Sequence, residues 1–319
     1  MTVSCKEIPA LTAALTDGLR RVIIGADDTV RLLTAALLCG GHVLLEDLPG
    51  SGKTTLVKAA AILLGCGSKR IQGTPDLMPA DITGYEILTQ DGIGTRAMQF
   101  REGPVFTNLL LADEINRMAP RSQSGLLECM AEHQVTVGAK RYPLPEPFFV
   151  IATQNPIEMQ GTFPLPEAQL DRFFMRLRMG RPDRAQELAI LEGRQLADPL
   201  DSLSAVTDPE TLLAAQDAVR TVSASEDVLN YLLSLAEASR KHPRLRCGLS
   251  TRAVLAVRHA AQAAAAAEGR DYMIPDDIKS VFTAVCAHRF QVTDGLLTDR
   301  EASEALAQEL LDTVPVPKA

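Results

Sequence analysis

Residues 44–55, LLEDLPGSGKTT, set an apolar run, a glycine-rich turn and a helix-forming stretch end to end. A chain with that junction must lay down a strand, turn over a few residues and enter a helix. Successive backbone N–H groups in such a turn, together with the helix N-terminus, form a cradle for an anion and above all for a phosphate. The candidate cradle comprises Pro49, Gly50, Ser51, Gly52, Lys53, Thr54 and Thr55. Lys53 supplies a mobile cation for the β- and γ-phosphates of a nucleotide, with ATP the expected one, and Thr54 a hydroxyl for Mg2+. The strict form of the pattern has glycine where this chain has Asp47. The competing reading is a glycine-rich turn with an incidental lysine, and the strand context and the polar residues described below weigh against it.

The first half of the chain repeats this alternation. Candidate strands fall at 42–46 (HVLLE), 69–73 (KRIQG), 108–113 (NLLLAD), 148–154 (FFVIATQ) and 173–179 (FFMRLRM), with amphipathic stretches such as 52–64 and 120–132 between them. Most of these strands are too apolar to alternate, as expected of parallel strands covered on both faces. Segments 83–106 and 134–143 interrupt the rhythm with turn signals between apolar or aromatic arms, and read as two β-hairpin inserts. Beyond Gly180-Arg181-Pro182-Asp183 strand-like runs give way to helices opened by Asp183, Asp208, Ser225, Ser250 and Pro275-Asp276-Asp277. The expected architecture is α/β, a three-layer αβα core with a parallel sheet over 1–180, then an all-α domain over 185–312 and a loose tail at 313–319.

Three further groups fit the cradle. Asp113 and Glu114 end an apolar strand as adjacent carboxylates whose side chains diverge, so one can hold magnesium and the other orient and polarise a water. Taken alone, two acids there are more often a solvated strand end. Asn155 follows the next core strand, where an amide can reach a γ-phosphate or the water; a turn-forming Asn before Pro156 is the alternative. Arg172, in LPEAQLDRFF, can reach a phosphate or pair with Asp171 or Glu167. Arg252 opens a helix, where a cation opposes the helix field by roughly 0.3–1 kcal/mol, and a phosphate partner would resolve that conflict.

Composition narrows the partners. The net charge of −8 disfavours nucleic acid as a partner. Six cysteines are scattered without a CxxC, as expected of small buried apolar residues in a reducing compartment. The N-terminus lacks a basic stretch followed by an apolar core, and no apolar run approaches the roughly 20 residues needed to cross a bilayer. The expected location is the cytoplasm.

Together the segments VIIGADDTVRLLTAALLCGGHVLLEDLPGSGKT, RIQGTPDLMPADITG, LLLADEINRMAPRSQSGLLECMAEHQVTV and FFVIATQNPIEMQGTFPLPEAQLDRF resemble the MoxR family of AAA+ ATPases, in the helix-2-insert branch. LSTRAVLAVRHAA and GRDYMIPDDI extend the resemblance to about residue 290. It implies that Lys53 and Thr54 form Walker A, Asp113 and Glu114 Walker B, and that Asn155 is sensor 1. Arg172 corresponds to the arginine finger that serves a neighbouring subunit, and Arg252 to sensor 2 on the helical lid. Thr251 stands where the family usually has proline. Ile23, Ile24 and Gly25 resemble the adenine-pocket stretch, and the hairpins resemble inserts that face the pore of the ring. On this basis Arg252 is expected to grip the nucleotide and, on hydrolysis, to let the lid rotate about 180–184. The resemblance further implies hexameric rings that remodel client or adaptor proteins, often ones with a von Willebrand factor A domain. The motor subunit of a metal chelatase and a slowly turning nucleotide-switched binding module are the alternatives.

Overall fold

The computed structural model describes residues 3–47, 50–90, 96–155, 161–193, 198–293 and 300–317. Two helices, α1 (Ile8–Val22) and α2 (Asp27–Leu38), precede β1 (Val43–Glu46), and α3 (Lys53–Leu63) follows it directly. Next come β2 (Ser68–Gln72), α4 (Pro79–Thr83), the hairpin β3 (Gly84–Gln90) and β4 (Arg96–Glu102), and β5 (Leu109–Asp113). Helix α5 (Pro120–Glu132) leads into a shorter hairpin, β6 (Gln134–Val137) and β7 (Lys140–Pro143), then β8 (Phe149–Gln154), α6 (Glu167–Leu170) and β9 (Met175–Leu177).

Strands β2, β5, β8, β1 and β9 lie side by side in that order, all parallel. Side-chain alternation splits each central strand between two cores. Val43, Leu45, Leu109, Leu111, Phe149 and Ile151 face one cluster, which also holds the apolar faces of α1, α2 and α3. Leu44, Leu110, Ala112, Val150 and Ala152 face the other, packed against α5. That double burial is why these strands read as unbroken apolar runs. The edge strand β2 is polar apart from Ile71, and its exposed Arg70 and Gln72 side chains reach Asp113 and Glu114.

Both expected hairpins form, although the Asp91-Gly92 turn of the first lies outside the described residues. Phe100 on the first hairpin stacks on Tyr142 of the second with ring centroids 4.0 Å apart, joining the two inserts. Leu88 and Met98, a cross-strand pair, are 61% and 55% exposed.

After β9 the chain is mainly helical: α7 (Arg184–Gly193), α8 (Pro209–Arg220), α9 (Glu226–Lys241), β10 (Leu245–Cys247), α10 (Thr251–Ala267), α11 (Pro275–Cys286), β11 (Gln291–Val292) and α12 (Arg300–Thr313). The expected caps form. Asp208 accepts from Thr211 N, Ser225 from Val228 N and Ser250 from Ala253 N, while Asp183 and Gln186 bond each other's backbone N–H reciprocally. Each such cap contributes about 1 kcal/mol. Sequence periodicity gave no sign of the antiparallel ribbon β10–β11, whose strands are only three and two residues long. The helical part shares its core with the sheet, since Leu15 and Leu19 of α1 belong to the same cluster as Val257, Phe282 and Leu310. Val314 also packs into it, so the tail is anchored at its start. Cys39, Cys129 and Cys286 are buried as expected, whereas Cys247 is exposed.

His42, just ahead of β1, ties three elements together. Its Nδ1 accepts from Val150 N at 3.0 Å and its Nε2 donates to Met130 O at 3.0 Å. That pair of bonds requires the neutral ring, and burial pushes the pKa down from 6.5 to about 4. The unfolded chain therefore takes up the proton first as pH falls, and stability is lost across that window. Chemical denaturation should show stability declining from about pH 6.5 towards pH 4, and H42N should flatten part of that slope.

Candidate functional site

The carboxyl ends of β1, β5 and β8 meet at one edge of the sheet, and the candidate residues from those strands gather there. Gly50 and Gly52 adopt φ of 84° and 86°, a conformation costly for any residue with a Cβ, and open space lies where their Cβ atoms would project. No side chain caps α3, so its first-turn N–H groups at Lys53, Thr54 and Thr55 face the same space. Ser51 Oγ is buried with no hydrogen-bond partner among the described residues. A cradle of left-handed glycines at an uncapped helix start fits a phosphate chain. Pro49 lies outside the described residues.

The irregular Asp47 has a structural reason. Its Oδ2 accepts from Met179 N at 2.8 Å, and its own N–H donates to Gln154 O, binding the loop to the strands on both sides. Its carbonyl also accepts from Lys53 Nζ at 3.0 Å.

Beside the loop, Ile23, Ile24, Gly50, Ser51, Met179 and Ile190 help to line a cavity of about 610 Å³. Gly25 does not line it. With φ at 82° it turns the chain from α1 into α2, and a Cβ there would meet the Gln186 side chain at 2.5 Å. Of the three residues expected at an adenine pocket, Ile23 and Ile24 line this cavity and Gly25 packs closely against α7.

Asp113 and Glu114 diverge as expected, and the backbone is bent to achieve it. Glu114 sits at φ 54° and ψ 52°, a left-handed conformation costing about 1–3 kcal/mol. The buried Thr153 hydroxyl holds it, accepting from Glu114 N at 2.9 Å while donating to Asp113 Oδ1 at 2.5 Å. Arg70 Nη2 lies 2.6 Å from Asp113 Oδ2, Gln72 Nε2 donates to Glu114 Oε2 at 3.1 Å, and Arg117 Nε lies 3.1 Å from the same oxygen. Gly73 must be glycine, since a Cβ there would fall 2.1 Å from Glu114 O. Asn155 is 6% exposed at the end of β8, and its carbonyl accepts weakly from Asn116 Nδ2 at 3.4 Å. Sequence reasoning did not single out Arg70, Gln72, Gly73, Arg117 or Thr153. Among the described residues no three His, Cys, Asp or Glu side chains cluster as a metal site, and the groups expected to hold magnesium, the Asp113 carboxylate and the Thr54 hydroxyl, are oxygen donors of the kind that ion takes.

The arginines lie elsewhere. Phe174 N donates to His42 O and Met175 pairs with Val43, so residues 171–174 sit at the amino ends of the strands, opposite the cradle. Arg172 does not pair with Asp171 or Glu167; its Nη1 donates to Leu127 O at 2.6 Å. Asp171 instead takes Arg289 Nε at 2.8 Å and Arg252 Nε at 3.9 Å. Arg252, expected to grip a nucleotide, is thus paired at the end of the strands opposite the cradle.

These features define a phosphate-binding α/β core followed by a helical lid. Residues 42–175 match the family described as ATPase family associated with various cellular activities (AAA), and residues 237–310 match the AAA lid domain. YeaC of Bacillus subtilis, a protein of uncharacterised role, is 42% identical, covering 98% of this chain and 97% of its own. The chaperone MoxR1 of Mycobacterium tuberculosis is 37% identical over 98% and 84%, and MoxR of Methylorubrum extorquens 33% over 93% and 92%. A crystal structure from Cytophaga hutchinsonii, assigned as an ATPase, superposes with a TM-score of 0.87 at 33% identity, covering 98% and 97%. The chain belongs to the MoxR family of AAA+ ATPases.

Thr153→Val keeps the shape of the side chain and removes its bonds to the Asp113 carboxylate and the Glu114 backbone N–H. ATP turnover should fall about 10- to 100-fold, the range for losing a hydrogen bond to a charged group, while ATP affinity in a titration stays near wild type.

Proposed function

We propose that the protein is a magnesium-dependent ATPase acting as a homo-oligomeric ring, a hexamer by family resemblance, that remodels or activates a partner protein. The observation that carries this is the split between the two ends of the sheet. Lys53, Asp113, Glu114 and Asn155 stand at the carboxyl ends, Arg172 and Arg252 at the amino ends. Strands of four to six residues separate them, about 13–20 Å at roughly 3.3 Å per residue. One chain cannot close both sets on one nucleotide, whereas a copy on each side can.

In this reading residues 1–180 are the nucleotide-binding core, 185–312 the lid and 313–319 the tail. Ile23 and Ile24 flank the adenine, and the backbone of 50–55 with Lys53 holds the phosphates. Thr54 and Asp113 would hold magnesium, which when bound supplies neutralisation of the charge on the β- and γ-phosphates. Glu114 orients and polarises the attacking water from its strained position, and Asn155 holds that water or the γ-phosphate. Arg172 of the next subunit stabilises the charge that develops on the transferred group, an effect of about 10³–10⁵ in rate. Arg252, 61% exposed and only loosely paired, accompanies it towards the same neighbouring site.

The partner is read from relatives and from the surface. One relative is named a chaperone, and the exposed Leu88 and Met98 give the first hairpin an apolar face for a client. A von Willebrand factor A domain is the client type that the family resemblance suggests. Among the described residues no helix is long and apolar enough to cross a membrane, in keeping with a cytoplasmic setting. The net charge of −8 makes nucleic acid a poor substrate.

Lys53→Ala should weaken ATP binding in a titration. Glu114→Gln and Arg172→Ala should each abolish most turnover, and mixing the two should restore part of it, because a subunit intact at Glu114 then receives an intact Arg172. Mixed rings that stay inactive would contradict the shared site.

A further inference from the structure

Arg289 lies in a short 3-10 turn (Ala287–Arg289) after α11, with its side chain only 5% exposed. A guanidinium buried that deeply costs several kcal/mol unless its donors are satisfied. They are satisfied almost wholly by the segment carrying Arg172. Nε donates to Asp171 Oδ1 at 2.8 Å, and Nη2 to Phe173 O at 2.9 Å and more weakly to Asp171 O at 3.5 Å. Nη1 returns to Val285 O of its own helix at 2.6 Å. One side chain therefore grips the residues immediately before and after Arg172, and anchors them to α11.

Neighbouring contacts act in the same sense. His288 Nε2 bonds Phe173 O at 3.0 Å, and Gln291 Nε2 donates to Glu167 Oε2 at the start of α6. Asp171 is the one acidic group among Arg172, Arg252 and Arg289 in these contacts, and the 2.8 Å bond to Arg289 takes up much of its charge. Arg252, at 3.9 Å and largely exposed, stays free to turn to another anion, as Arg289 is not.

We propose that Arg289 is a positioning residue for hydrolysis in the neighbouring subunit: it fixes residues 171–173 to the lid, so that Arg172 and Arg252 are presented as one unit. The proposal rests on the shared-site reading above. Among the described residues Arg289 makes no contact with its own chain's nucleotide site, so its loss should leave that site able to bind ATP. What is lost is the alignment of Arg172 for the neighbour. Lysine keeps the charge but not the planar fork that spans Asp171 Oδ1 and Phe173 O at once.

The test measures steady-state ATP hydrolysis and ATP affinity for Arg289→Met and Arg289→Lys in the full chain, alone and mixed with Glu114→Gln. Both variants should lose about tenfold or more in kcat with KM for ATP within about twofold, Arg289→Lys being the milder. Mixing either with Glu114→Gln should restore turnover, as it should for Arg172→Ala. If Arg289→Met does not fold, Arg289→Lys carries the test. Wild-type kcat in Arg289→Lys, or Arg289 variants that gain nothing on mixing while Arg172→Ala does, would overturn the proposal. If Arg172→Ala itself gains nothing, the shared site is what fails.

Discussion

The parallel register of β5, β8 and β1 is the constraint from which the rest follows. Leu111 pairs with Ile151 and Ile151 with Val43, so three strands end at nearly one level. Their next residues, Asp113-Glu114, Asn155 and the phosphate loop, are delivered to one edge with no long-range polar contact needed to collect them. Hydrophobic burial on both faces fixes the register, because a slip of one residue would move every side chain to the other core. The chemistry at the edge is therefore positioned by apolar residues that take no part in it.

Fine alignment falls to Thr153, a polar residue in a strand that is otherwise apolar as far as Ala152. Its single hydroxyl joins the Asp113 carboxylate to the Glu114 backbone N–H and supports the left-handed backbone at Glu114. Strain of this kind persists only where its surroundings over-determine it. Here they do, with Gly73 giving room behind the Glu114 carbonyl and Gln72 and Arg117 holding its side chain.

Much of this was legible in the sequence. Unbroken apolar runs located the sheet, capping residues located the helices, and the glycine-rich turn with paired acids indicated the edge where a nucleotide would lie. The misses have physical causes. Arg70, Gln72 and Thr153 act across strands, and one strand's pattern does not reveal which side chains of its neighbour stand beside it. The ribbon β10–β11 is too short to show a period. The position of Arg252 at a helix start indicated a need for an anion but not whose anion. Arg289 was invisible for a related reason, since its partners in the Arg172 segment lie 116 and 118 residues away in sequence and a lone arginine after a helix has no signature of its own.

The bond from Asp47 to Met179 N joins the phosphate loop to the point where the chain leaves the sheet for the helical lid. A glycine at this position would make the loop a passive cradle, shaped by its own backbone alone. With aspartate it is tethered. The exit of β9 and the loop, two strands' width from the carboxylates, are thereby fastened together by a single side chain. The residue that breaks the expected pattern thus makes the cradle continuous with the start of the lid.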